Sequence, residues 1–189
     1  MKNIIIRHLN GKKILFLFIL TNIVYATMLT ITIPKVMNYA DGMKLLDMMP
    51  TGYNADYVNS LLDALGKEGR NAYLFQQIPI DFIYPCLFGI TYCLLFAYII
   101  YKLGKQNSFL FYICLVPVFS GLFDYLENIG IVTMLKSYPD NSASMSQLTN
   151  VFSILKSTLT TIYFIALLIA LLTLLTKNII SRSKKTTNR

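Results

Sequence analysis

Residues 78–101 read IPIDFIYPCLFGITYCLLFAYIIY, and Asp81 is the one charged residue among them. At 1.5 Å per residue, such a run exceeds the ~30 Å of hydrocarbon in a bilayer. Backbone amides in lipid must be satisfied within their own segment, so the run is predicted to be a membrane-spanning helix. Three more apolar blocks have the same character: about 14–33, ending at Pro34, about 109–135 and about 151–176. The predicted fold class is all-α, a four-helix transmembrane bundle forming one integral membrane domain over residues 1–189.

Composition agrees. Of 189 residues, 55% are hydrophobic and 14% charged, and mean hydropathy is +0.55. A soluble domain carries about a quarter charged residues, too many for this chain to match. The single histidine, His8, lies in the basic N-terminal segment, which excludes a Ser-His-Asp triad or a histidine-bound zinc or haem within the apolar blocks. Cys86, Cys93 and Cys114 lie inside apolar blocks and read as small packing residues. No cofactor is expected.

Charge sets the expected orientation. The N-terminus (Lys2, Arg7, Lys12, Lys13), the turn after residue 101 (Lys102, Lys105) and the tail (Lys177, Arg182, Lys184, Lys185, Arg189) hold eleven basic residues and no acidic one. The positive-inside rule places all three in the cytoplasm of a cell that carries the protein in its inner or plasma membrane. The tail lacks the aromatic interleaving of a base-stacking surface, so no nucleic-acid partner is expected. Basic residues, an apolar stretch and Val24-Tyr25-Ala26 resemble a signal peptide, but the apolar run continues past Ala26 and reads as a retained span.

The outer loop over 34–77 is too long for a plain connector. Met43, Leu45, Leu46, Met48 and Met49 form a short apolar segment closed by Pro50-Thr51-Gly52. Val58, Leu61, Leu62 and Leu65 recur at helical spacing after Asn54, and Gly66 is a helix stop. These short amphipathic helices are expected to lie at the outer interface or to cap the bundle, with a lid as the functional reading. A further helix is expected from near Glu68 into the second span, kinked by Pro79 and Pro85.

Ionisable groups within spans cost about 2.5–3.5 kcal/mol each at the helix centre. This chain keeps Asp81, Asp124, Glu127 and Lys156, and the topology brings all four to the outer half of the membrane. Asp124, Glu127 and Asn128 share one helical face, which Ser120 extends. Ser153, Lys156, Ser157, Thr160 and Tyr163 form a matching stripe on the fourth span. Lys156 is expected to pair with Asp124 or Glu127, with Asp81 and Tyr84 closing the third side. Arg70, Tyr73, Gln76 and Gln77 are expected along the approach.

Three carboxylates against one lysine leave negative charge to be balanced by a proton, by Arg70 or by a bound cation. The candidate ligand-binding residues are therefore Arg70, Tyr73, Asp81, Tyr84, Asp124, Glu127, Asn128 and Lys156. If a metal binds, Asp81, Asp124 and Glu127 would hold a hard cation such as Mg²⁺ or Ca²⁺. The expected partners are the lipid bilayer, a cation or amphipathic small molecule or lipid, and a second copy in a homo-oligomer. Two other readings stand beside this one: a membrane-embedded enzyme with Asp124 and Glu127 as acid and base and Arg70 positioning an anionic group, or an accessory subunit of a membrane complex.

Two stretches, LGKEGRNAY at 65–73 followed by DFIYP at 81–85, and PVFSGLFDYLEN at 117–128, resemble a group of small, uncharacterised four-span bacterial membrane proteins. The resemblance covers roughly residues 60 to 135. It implies that Arg70, Tyr73, Asp81, Asp124, Glu127 and Asn128 act together, and it implies no activity.

Overall fold

A computed structural model describes residues 2–187. Every regular element among them is helical, and four helical runs are long and apolar enough to cross a membrane: Gly11–Ala40, Ala55–Lys102, Phe109–Ser137 and Ala143–Lys177. A short helix α1 (Lys2–Arg7) precedes α2 (Gly11–Thr27), which is capped by Asn10, whose side chain accepts from the Lys12 and Lys13 amides.

The first run does not stop at Pro34 as expected. Pro34 has no amide proton for the Thr30 carbonyl and its ring crowds that group. The ladder therefore shifts by one: Ile33 N–H bonds the Met28 carbonyl five residues back, a π-helical turn forms over Met28–Thr32, and the chain continues as α3 (Ile33–Met37). Pro79 repeats this in the second run. There α4 (Ala55–Ala72) leads through a π turn, Tyr73–Gln77, into α5 (Ile78–Lys102), and Ile78 N–H bonds the Tyr73 carbonyl. The two π turns meet, with Thr32 Oγ1 donating to Gln77 Oε1.

A 3₁₀ segment, Phe109–Leu115, opens α6 (Val116–Ser137), and α7 runs from Ala143 to Thr187. This last helix begins eight residues before the apolar block and continues beyond it through the backbone of the basic tail; Arg189 lies outside the described residues.

Helices α5, α6 and α7 pack mutually, and α2 packs along α5. Among the described residues, no extensive contact joins α2 to α7. Thr21 and Thr91 share a hydroxyl–hydroxyl bond of 2.8 Å that ties α2 to α5. The α5–α6 seam is tight because neither Gly89 nor Gly121 has a side chain. A Cβ on Gly121 would come 2.8 Å from the Pro85 carbonyl oxygen.

The 38–54 segment and α4 cap one end of the bundle. Leu45, Leu46, Val58, Leu61 and Leu62 are fully buried against Val36, Ile131 and Met134, so the amphipathic pieces form a packed cap. Gly66 breaks α4 at the expected stop, with φ +59° and ψ −174°, and a second helical segment resumes behind it. At the other end, Phe88, Phe96, Phe111, Tyr163, Cys93 and Cys114 make a separate core. Asp81, Ser120, Asp124, Glu127 and Lys156 come from the stretches of α5, α6 and α7 between these two cores.

Candidate functional site

Lys156 organises the site. It lies about 20 Å along α7 from that helix's start, at 1.5 Å per residue. Its Nζ is 2.5 Å from Glu127 Oε2 and 3.3 Å from Asp124 Oδ1, so it pairs with both carboxylates of the α6 face. Ser120, one turn before Asp124, bonds the Lys156 carbonyl at 3.1 Å and the Thr160 hydroxyl at 2.7 Å, fixing the register of α6 against α7.

Asp81 comes from α5 and is 3% exposed. Pro85 explains how its backbone is held. A proline at that position leaves the carbonyl four residues earlier, that of Asp81, without its helical donor. Asn128 Nδ2 donates to that carbonyl at 3.2 Å. Asn128 is thus a positioning residue. Exchanging it for Leu leaves a buried carbonyl unpaired and is expected to cost about 1–3 kcal/mol in unfolding free energy, measured by denaturant titration in micelles. Gln, which keeps the amide, should recover part of the loss.

Asp47, which the sequence reading left out of the site, reaches it from the cap. Tyr73, fully buried, donates to Asp47 Oδ1 at 2.9 Å, and Gln77 Nε2 donates to Asp47 Oδ2 at 3.3 Å. The meeting of the π turns therefore continues as a chain, Thr32–Gln77–Asp47–Tyr73. The only sequence signal for this was a carboxylate embedded in the apolar run 43–49. Tyr53 also descends from the cap. Its amide donates to Asn150 Oδ1 at 2.8 Å, and its phenol is raised above the usual value by burial and then by Glu127, so it stays a neutral hydroxyl.

Gly52 allows this anchorage. Its φ is +88°, and a Cβ there would run into Asn150 Oδ1 and Ile154 Cδ1. Gly52→Ala is expected to loosen the cap by about 1–3 kcal/mol. Hydrogen exchange should then rise across residues 43–53 and leave α6 unchanged.

Between the cap and the helices lies a cavity of about 360 Å³. Asp81, Asp124, Lys156, Ser157 and Thr160, from α5, α6 and α7, supply its polar side, joined by Asp47 from the cap. Tyr25, Met28, Leu29, Ile33, Tyr84 and Phe88 form an apolar wall, in which the Tyr25 and Tyr84 rings stack at 5.3 Å. The wall comes mostly from the first helical run and the far side, including Thr161, from α7. The cavity therefore fills the gap where α2 and α7 fail to pack, and Tyr25, Leu29 and Thr161 at its rim are exposed on the flank of the bundle.

The structure thus brings together Asp81, Tyr84, Asp124, Glu127, Asn128 and Lys156, with Tyr73 joining through Asp47. It does not bring Arg70. The Gly66 break leaves the Leu62 carbonyl as a helix-end acceptor, and Arg70 Nη1 bonds it at 2.6 Å, with the guanidinium 4.0 Å over the Tyr138 ring. Gln76 is exposed and also lies apart from the cavity. Among the described residues no three His, Cys, Asp or Glu side chains gather to hold a metal ion, and the Lys156 ammonium stands between Asp124 and Glu127, two of the three carboxylates expected to bind it.

No family model, no curated protein and no solved structure matches this chain.

Proposed function

We propose that this is a four-span membrane protein with both termini cytoplasmic, whose outward-facing acidic cavity binds an amphipathic small molecule or lipid taken from the bilayer. The carrying observation is the cavity's lining: an acidic side supplied by Asp81 and Asp124 with Asp47 from the cap, an apolar aromatic wall, and a flank between the first helical run and α7 where Tyr25, Leu29 and Thr161 are exposed. A water-borne ion needs no side opening and no apolar wall. A molecule with a polar head and a hydrocarbon tail matches both, with the head at Asp81 and the tail along Tyr25, Leu29 and Phe88. The volume lies at the lower end of small-molecule pockets, about 300–1,000 Å³, which suits a head and the first part of a chain.

The chain has no tryptophan, so a single introduced one reports without background. Leu29→Trp places the reporter at the rim, and Leu168→Trp places a control on an exposed face of α7. Brominated dodecyl amphiphiles with amine, alcohol or carboxylate heads are then added to reconstituted protein. At least one should quench Leu29→Trp saturably while quenching Leu168→Trp only in proportion to its partition into lipid. Equal, unsaturable quenching of both by all three would overturn the reading.

A further inference from the structure

The hydrogen-bonding inventory of the site is lopsided. Asp81 Oδ2, Glu127 Oε1 and Asn128 Oδ1 are buried without a partner, and all are acceptors if the carboxyls are ionised. Two hydroxyls nearby, Tyr53 and Ser153, are likewise unpartnered and can give or take. Each fixed donor group has acceptors elsewhere, Lys156 on Asp124 and Glu127, Gln77 and Tyr73 on Asp47, Asn128 Nδ2 on the Asp81 carbonyl, and none of them reaches Asp81 Oδ2. Charge is lopsided in the same direction, with Asp47, Asp81, Asp124 and Glu127 facing the single ammonium of Lys156. Of these carboxylates, Asp81 lines the cavity, is 3% exposed and keeps one oxygen without any donor.

We infer that the ligand's head group is a cation that carries N–H donors, a primary ammonium or amidinium on a hydrocarbon chain, with Asp81 as its principal acceptor. This rests on the amphiphile reading above and narrows it to one chemical class. A quaternary ammonium supplies charge but no donor. It also prefers an open aromatic cage, whereas the Tyr25 and Tyr84 rings are stacked on one another. An alcohol supplies a donor but no charge. A carboxylate supplies neither and meets four like charges. A donor-bearing ammonium meets both demands, and buried acceptors left unpaired penalise an analogue that lacks the donor.

The test uses the wild-type protein in nanodiscs of zwitterionic lipid, with thermal midpoint as the readout. The probes are dodecylamine, dodecyltrimethylammonium, dodecanol, dodecanoate and butylamine. Dodecylamine should raise the midpoint saturably and bind about tenfold or more tighter than dodecyltrimethylammonium or dodecanol, the ratio that one charged hydrogen bond supplies. Butylamine, without the chain, should do little, and dodecanoate should do least. Asp81→Asn, judged folded by its unliganded midpoint, should lose the preference for dodecylamine over dodecanol. Equal response to dodecylamine and dodecyltrimethylammonium, or a preference for dodecanol or dodecanoate, would overturn the head-group assignment and leave an amphiphile site standing. Saturable response to none of the chained probes would overturn both.

Discussion

Lys156→Met is expected to lower the unfolding free energy by about 3–5 kcal/mol, among the largest effects of any single substitution in this chain. Two carboxylates depend on that ammonium, at 2.5 and 3.3 Å, and both sit among buried side chains. Removing it strands their charge with no other cation in contact among the described residues, since Arg70 is engaged elsewhere. The loss should be largely reversed by removing the partners too. Lys156→Met combined with Glu127→Gln and Asp124→Asn substitutes neutral groups of similar shape, and such replacements of buried ion pairs are often neutral or stabilising. A multiple-mutant cycle by denaturant unfolding in micelles measures the coupling. A single-variant loss below about 1 kcal/mol, the range of solvent-exposed pairs, would mean that the pair is hydrated and does not organise the site.

Gly121→Val should have the second large effect, of about 1–3 kcal/mol or more, because it overpacks a seam between backbones. The atom in the way is the Pro85 carbonyl oxygen, part of a helix and unable to rotate aside. Relief requires α5 to move from α6, which pulls the Asp81 carbonyl from Asn128 and widens the cavity's polar side. The variant should therefore lose ligand response as well as stability, and Gly121→Ala should show the same pattern at smaller size. Phe119→Ala, two residues away on an exposed face, is expected to stay within about 0.5 kcal/mol of wild type. Stability loss with intact ligand response would separate the seam from the site.

Much of the frame was legible in the residues themselves. The four long apolar helices were readable because apolar runs of that length have few other uses, and Lys156 was placed opposite Asp124 and Glu127 by helical spacing together with the depth that the expected four-span topology gave it. The amphipathic helix was readable from Val58, Leu61, Leu62 and Leu65, which face one side and are buried, while the spacing left open whether it lay at an interface or capped the bundle. The π turns were not, since Pro34 and Pro79 read locally as an end and a kink. Whether a helix stops at a proline or shifts its ladder depends on what packs beyond it, here Thr32 against Gln77 and the cap. Asp47 was missed because an acid in a loop ordinarily faces water, and only the tertiary fold of residues 38–54 carries it inward. Arg70 was misplaced for the converse reason. Helical register put it one turn from Tyr73, but the Gly66 break offered a nearer acceptor in the Leu62 carbonyl. Side chains held by backbone irregularities were thus the ones that periodicity could not locate.

The most direct test is to map where an amphiphile rests. Dodecylamine carrying a diazirine near the end of its chain would be photolysed on the reconstituted protein, with and without excess unlabelled dodecylamine, and the labelled peptides identified by mass spectrometry. The account predicts competable labelling at the cavity wall and rim, on Tyr25, Met28, Leu29 and Thr161. Labelling spread along exposed faces such as Phe16, Ile19, Leu168 and Ile169, and undiminished by the competitor, would contradict it.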